Sequence, residues 1–375
     1  MEGKKKIKFH PLCSVLFVLY FYTVKHYIFK TCFRTGIIVL FLVSYIQCNG
    51  DPSRLQKTDV AEEEINEEPP VFIPALSDEL PVTAFSEVWA YVVADYESAY
   101  KRGLPISDIG YFGAEIDTYG SLTGVPRRQN LSSFPGRVHL VVACGSRSLS
   151  HFILVPNSRE RKELIADLLA AAGNFDGLQI DFELIPQRDG ETFLSFLREL
   201  RAGLENKIFS IALPARTRKI ENDVYDYEAI KPYVDKILVM AYDEHWGGSR
   251  PGSVASLQWC RRVAEYSLAA IGREKLIMGL PFYGRAWGNH TLSRALIHST
   301  TERLINEMDV SEIRRENGIP TFDYDVNASV KVYFEDEYSQ SARMEMYKSM
   351  NVGAIGFWRL GQETVNVWSI IRLEP

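Results

Sequence analysis

The chain has 375 residues, with 42 Lys and Arg against 48 Asp and Glu and a formal charge of −6. At 46% hydrophobic and 24% charged residues it has a globular composition, which excludes a collagenous or wholly disordered chain. The charge is split: residues 1–50 hold seven basic side chains and one acid, which leaves −12 over residues 51–375, and an acidic body argues against a nucleic-acid backbone as partner.

Residues 1–50 read as a signal peptide or membrane-anchor leader. Two apolar runs, Pro11–Val24 and Gly36–Ile46, are separated by Lys25, His26, Lys30 and Arg34, and each falls short of the roughly 20 residues of a spanning helix. The second run has the length of a signal-peptide core and is followed by Cys48-Asn49-Gly50, so export to the cell envelope, periplasm or exterior is expected. Retention of the leader as a membrane anchor is the alternative. Three of the five cysteines lie here, and Cys144 and Cys260 are too few for a disulfide framework or a zinc site. Residues 51–79 are rich in acids, include Pro69-Pro70, and read as a solvated, disordered linker.

Residues 80–375 change texture. Short β-branched and aromatic runs recur at Glu87–Val93, Ile106–Ala114, Val138–Ala143, Gly177–Glu183, Phe209–Leu213, Ile237–Tyr242, Leu276–Phe282 and Ala354–Trp358. Arg159–Ala172, Glu191–Leu204 and Ser253–Ile271 show helical spacing between them. This alternation predicts an α/β protein, a (β/α)8 TIM barrel. A doubly wound open sheet is the alternative, but no Gly-x-Gly-x-x-Gly or phosphate loop follows a strand to support it. The long connection before the last strand predicts a small α+β insertion at about 288–350, with strands near Thr321–Tyr324 and Val330–Phe334.

The segment around the fourth run, Phe175 to Leu184, carries the most chemistry. Strand side chains alternate, so Gln179, Asp181 and Glu183 share one face, and Leu178, Ile180, Phe182 and Leu184 the other. The polar face would rise inside the barrel toward the C-terminal mouth, where barrel enzymes keep their chemistry. Two carboxyls one repeat apart repel, so one is held protonated and can serve as a proton donor. The alternatives are a solvated acidic edge or a cation site; scattered histidines weaken the second.

The segment resembles the Asp-x-x-Asp-x-Asp-x-Glu signature of glycoside hydrolase family 18, with Asp176, Asp181 and Glu183 matching and Gln179 replacing the second aspartate. Met240-Ala241-Tyr242-Asp243, Lys275 to Trp287, Val332 to Asp336 and Gly353 to Trp358 are similar to further family segments, in the same order. An amide at 179, and Ile109 to Ile116, resemble the branch containing bacterial cell-wall and spore-cortex N-acetylglucosaminidases. The resemblance implies retaining hydrolysis of β-1,4 bonds next to N-acetylglucosamine, with the substrate's acetamido oxygen as nucleophile. It implies Glu183 as general acid and base, Asp181 as partner of the acetamido N–H, and Tyr242 as donor to the acetamido oxygen. Asp243, Trp358, Tyr283, Arg285 and Gln179 are implied at the substrate, with Gln179 donating to Asp181 and Asp176 as structural support. Trp287 is a further candidate for the cleft.

The function expected is therefore an exported glycosidase acting on an N-acetylglucosamine polymer, peptidoglycan ahead of chitin, without metal, nucleotide or other cofactor. The alternative is a catalytically silent, surface-anchored sugar-binding homologue.

Overall fold

Period-two alternation of apolar and polar residues in the eight predicted strands produces a closed parallel barrel. The computed structural model describes residues 79–288, 291–325 and 329–375, so the leader and most of the linker lie outside the described residues. The barrel strands are β1 (Glu87–Val93), β2 (Asp108–Ile116), β3 (Arg137–Cys144), β4 (Gly177–Phe182), β5 (Ile208–Pro214), β6 (Lys236–Met240), β7 (Leu276–Pro281) and β8 (Ala354–Trp358). Each pairs in parallel with the next, and β8 returns to β1, which leaves no open edge.

The outward residues of the strands, among them Val88, Leu140, Ile180, Ile211, Val239, Met278 and Ile355, are buried beneath the helices in the main core. Each such side chain contributes roughly 1.5–3 kcal/mol of burial. The inward residues Trp89, Tyr91, Val141, Ala212, Leu238, Ile277 and Ala354 fill the barrel interior as a second cluster. Helices Arg159–Ala172, Gly190–Gly203 and Leu257–Ile271 stand where helical spacing places them, each of the first and third capped by a serine, Ser158 and Ser256. The crossovers after β1 and β2 carry only short 3-10 turns, Glu97–Ala99 and Arg128–Leu131, so helical alternation is incomplete at the start of the barrel.

The insertion is a five-stranded antiparallel sheet built from Tyr283–Gly288, Thr291–Ile297, Arg314–Glu316, Ile319–Asp325 and Ser329–Tyr333, with one helix, His298–Glu307. Its own core contains Leu296, Phe322, Val332 and Phe334. The expected span of about 288–350 is corrected at both ends. The sheet begins at Tyr283, directly after β7, and helix Glu337–Ser349 belongs to the barrel, because Met344, Met346 and Tyr347 are buried in the main core. Outside the barrel, Thr83–Phe85 pairs with Ile371–Leu373. Among the described residues no helix is long and apolar enough to cross a membrane.

Candidate active site

The barrel interior is stacked in three polar layers, set by the inward positions of the strands. At the N-terminal end, Asp108 and His139 are fully buried, with His139 Nε2 2.8 Å from Asp108 Oδ1 and Arg137 Nε 2.6 Å from the same oxygen. The His139 ring stacks on Trp89, with centroids 4.3 Å apart. Lys236 Nζ donates to Glu87 at 2.6 Å beside this plug. Those groups sit at the end of the barrel where conservation of structure, not chemistry, is the usual role.

The middle layer is neutral. Tyr91 donates its hydroxyl to Gln179 Oε1 at 2.5 Å, and Gln179 Nε2 donates to Ser210 Oγ at 3.1 Å. Gly110, which faces Tyr91 in the ladder, makes this possible: a Cβ there would stand 2.5 Å from the tyrosine ring. The expected bond from Gln179 to Asp181 is not formed. Gln179 has no exposed surface and both ends of its amide are engaged within the barrel, so it lies beneath the site and does not line it.

The upper layer holds the acids. Asp181 and Glu183 leave β4 on the same face, one strand repeat apart, and both remain partly open at the mouth. Asp181 Oδ1 is buried and receives no hydrogen bond from the protein. Burial pushes the Asp181 carboxyl well above the usual range, and the charge of Glu183 adds to it. Burial also raises Glu183, followed by the charge of Asp243. Repulsion within the pair thus acts on Asp181, but desolvation is the larger cause at both acids. Leu184 departs from its expected apolar face: it turns into a left-handed conformation with φ of 58° and is exposed, which ends the strand at the acid.

Tyr242, just past β6, stands over the acids, and burial drives its hydroxyl far above its ordinary value. Gly279 on β7 gives it room, since a Cβ there would lie 3.1 Å from the Tyr242 ring. Asp243 adopts φ of 58° and turns its carboxylate outward, where Oδ1 accepts from Tyr283 Oη and Arg285 Nη2, each at 2.8 Å. Tyr283 packs edge-on against Tyr242 at 6.3 Å. The inserted sheet therefore supplies one wall of the mouth. Trp358, at the end of β8, is partly exposed and packs against Tyr91 and Phe112 at 5.5 and 5.2 Å. It forms an apolar surface in the mouth.

Asp176 is set apart from this group. It directly precedes β4 at the opposite end of the barrel, accepts from the Val138 amide at 2.8 Å and pairs with Arg128 at 3.5 Å. Trp287 is buried in the inserted sheet against Tyr333, away from a cleft role. Cys144 and Cys260 are free and buried; burial pushes the Cys260 thiol up to about 11. Sequence reasoning passed over Tyr91, Ser210 and Phe112. Their inward parity on β1, β5 and β2 was the available signal, but which inward residues meet across a barrel depends on strand register. Among the described residues no group of three His, Cys, Asp or Glu side chains is arranged to hold a metal ion.

A family model described as glycosyl hydrolases family 18 matches residues 127–363. Glycosylase YvbX of Bacillus subtilis, itself uncharacterized, is 30% identical over 215 residues, covering 54% of this chain and 62% of that protein. A cortical fragment-lytic enzyme of Bacillus subtilis is 27% identical over 238 residues, covering 58% of this chain and 54% of the relative. The chain spans about half to three-fifths of the length of the curated relatives it matches. Among solved structures, the spore cortex-lytic enzyme SleL of Bacillus cereus superposes with a TM-score of 0.69 at 21% identity, covering 78% of this chain and 76% of that one. That likeness is one of fold.

Proposed function

The chain belongs to glycosyl hydrolases family 18, and from that premise we propose that it is an exported glycosidase cleaving β-1,4 bonds in an N-acetylglucosamine polymer, with peptidoglycan as the substrate class. The observation that carries the reading is the acid pair: Glu183 raised so that it can begin protonated, beside Asp181 whose buried Oδ1 has no donor in the protein. A buried acceptor of that kind is costly unless a ligand N–H satisfies it. The acetamido N–H of an N-acetylglucosamine residue is such a donor.

In the reaction proposed, the acetamido carbonyl oxygen attacks the anomeric carbon as the glycosidic C–O bond breaks, and the Glu183 proton passes to the leaving oxygen. Asp181, protonated in the free protein, gives its proton to solvent as the substrate seats; the resulting carboxylate accepts from the acetamido N–H and offsets the positive charge that develops on the oxazolinium ring. Tyr242 Oη donates to the acetamido oxygen and holds its line of attack. Water then adds to the anomeric carbon, its proton going to Glu183, and the ring opens with configuration retained. Trp358 gives the sugar an apolar face to lie on. Asp243, tied to Tyr283 and Arg285, sustains the high affinity of Glu183 for its proton.

Peptidoglycan is favoured over chitin by the similarity to a cortical fragment-lytic enzyme and by the amide at position 179. Export is supported by the basic and apolar residues 1–50. Release of reducing ends from peptidoglycan and from chitin oligosaccharides, by the wild type and by Glu183→Gln, tests the reading. Binding of either polymer without turnover by the wild type would replace it with a sugar-binding role.

A further inference from the structure

The segments that follow the barrel strands carry a concavity that the proposed chemistry leaves unused. It is a pocket of about 440 Å³ lined by Arg147, Ser148, His151, Pro186, Gln187 and Arg188. A second trough of about 320 Å³ shares Arg147 and Gln187 and runs on past Ile185 and Ile220. The walls are the segments that follow β3, β4 and β5, so both concavities open at the C-terminal mouth. Pro186 is three residues from Glu183, at most about 11 Å along an extended chain. The lining residue Pro186 therefore stands within about 11 Å of the proposed acid, Cα to Cα, which is the span a substituent near the scissile bond would have to bridge.

The chemistry of the lining is one-sided. Arg147 and Arg188 are exposed and, among the described residues, neither guanidinium is engaged in an ion pair or a hydrogen bond. The carboxylate next to Arg188 in the chain, Asp189, is almost buried and already taken, with Oδ2 and Oδ1 at 2.9 and 3.0 Å from His151 Nδ1. That clamp makes His151 a fixed wall. Glu221 and Asp223 lie in the second trough, and Asp223 is bound to Arg216 at 2.6 Å. The first pocket thus presents two guanidinium groups and no carboxylate of its own, in a body of net charge −12 over residues 51–375. Such a body repels an anionic polymer, and a cationic pocket at the mouth reverses the field locally. Guanidinium is also the side-chain group that matches the planar geometry of a carboxylate.

We propose that the Arg147–Arg188 pocket binds a carboxylate carried by the polysaccharide next to the scissile bond, the lactyl or peptide carboxylate of a peptidoglycan strand. The pocket selects acidic strands over a neutral polymer of the same sugar. The proposal rests on the reading of the chain as an N-acetylglucosamine polymer hydrolase, and it names the feature of the substrate that the acid pair does not recognise.

The experiment measures binding separately from turnover. Full-length Glu183→Gln protein is titrated calorimetrically with soluble peptidoglycan fragments, with the same fragments after their carboxylates are converted to amides, and with chitin oligosaccharides. The native fragments are expected to bind about three- to tenfold more tightly than the amidated ones, the yield of two exposed charge pairs. Adding Arg147→Gln and Arg188→Gln removes that difference and leaves the affinity for amidated fragments and chitin oligosaccharides unchanged. Arg188→Glu alone, a substitution at an exposed side chain, reverses the preference. Equal affinity for native and amidated fragments, or a preference that survives the double substitution, overturns the pocket. Turnover by the wild type is read alongside: hydrolysis with no such discrimination overturns the pocket and leaves the hydrolase. Discrimination in binding without hydrolysis overturns the hydrolase and supports the pocket.

Discussion

Gln179 turns its amide nitrogen to Ser210 Oγ, 3.1 Å away, and so takes no part in holding Asp181. Its other end accepts from Tyr91 at 2.5 Å, which makes the layer under the acids a closed neutral network spanning β1, β4 and β5. The protonation of Asp181 is then governed from the side and above, by burial and by Glu183.

A double-mutant cycle on that network has a definite expectation. Tyr91→Phe leaves Gln179 Oε1 buried with no donor, and Gln179→Leu leaves the Tyr91 hydroxyl with no acceptor, each costing about 1–3 kcal/mol. The double substitution removes both polar groups, so its cost in urea unfolding should fall short of the sum by about 1 kcal/mol or more. Simple additivity would show that the two groups do not share a bond.

Glu183→Gln keeps the shape of the side chain and removes its proton. The kcat on any polymer that the wild type cleaves should fall by about 10²–10⁴-fold, the usual yield of a general acid–base group. KM should change little, since the ground state does not depend on the transfer. A loss of only a few-fold in single-turnover assays would shift the acid role to another group.

Asp243→Asn tests the cause of the raised Glu183 carboxyl. The asparagine oxygen still accepts from Tyr283 and Arg285, so the wall of the mouth stays in place. The negative charge that raises Glu183 is gone, and Arg285 is left uncompensated. Both changes lower the affinity of Glu183 for its proton. The alkaline limb of the kcat/KM profile should move to lower pH, with activity at acidic pH retained. A limb that stays put would mean that burial alone sets Glu183.

The barrel and the direction of its side chains were legible because strand parity is a local property. Leu178, Ile180 and Phe182 lie under the helices, and Asp181 and Glu183 rise to the mouth, as alternation along β4 requires. Leu184 escaped that rule because its left-handed backbone ends the strand before parity reaches it. What parity cannot supply is the partner across the barrel. Gln179 meets Tyr91 from 88 positions away, and Asp243 meets Arg285 through an inserted sheet whose docking depends on tertiary packing. The insertion is visible as a long connection, but its expected span takes in helix Glu337–Ser349, because a helix that buries Ser339, Gln340 and Arg343 beside its few apolar residues does not announce in its own sequence which of two cores it will cover.

The acid pair also makes stability depend on pH, with a sign opposite to that of surface carboxylates. An unfolded aspartate titrates near pH 4, and in the folded chain Asp181 holds its proton to higher pH. Over that interval the native state binds more protons than the unfolded one, so stability falls as pH rises. The contribution is complete below the unfolded value and is lost as pH climbs through the folded one. Asp181→Asn removes the titration, so its thermal midpoint should gain on the wild type as pH rises from about 4 through the folded value. A difference constant across that range would contradict the raised carboxyl.

The helix that leads into the last strand is fixed by a buried ion pair. Arg343 on helix Glu337–Ser349 has no exposed surface and donates through Nη1 and Nη2 to the two Glu335 oxygens, each at 3.0 Å, and through Nη2 to the Ala255 carbonyl at 2.6 Å. Glu335 accepts further from Ser339 at 2.7 Å, so the carboxylate is held on several sides. Removing one charge from such a pair leaves the other desolvated, and Arg343→Met should cost about 3–5 kcal/mol in denaturant unfolding. Replacing both, as Arg343→Met with Glu335→Leu, leaves no orphaned charge, although the Ala255 carbonyl loses its donor, so the double variant should recover much of the loss. Recovery would identify the pair as a device whose cost lies in being broken, and a double variant as unstable as the single one would place the stabilisation in the surrounding hydrogen bonds instead.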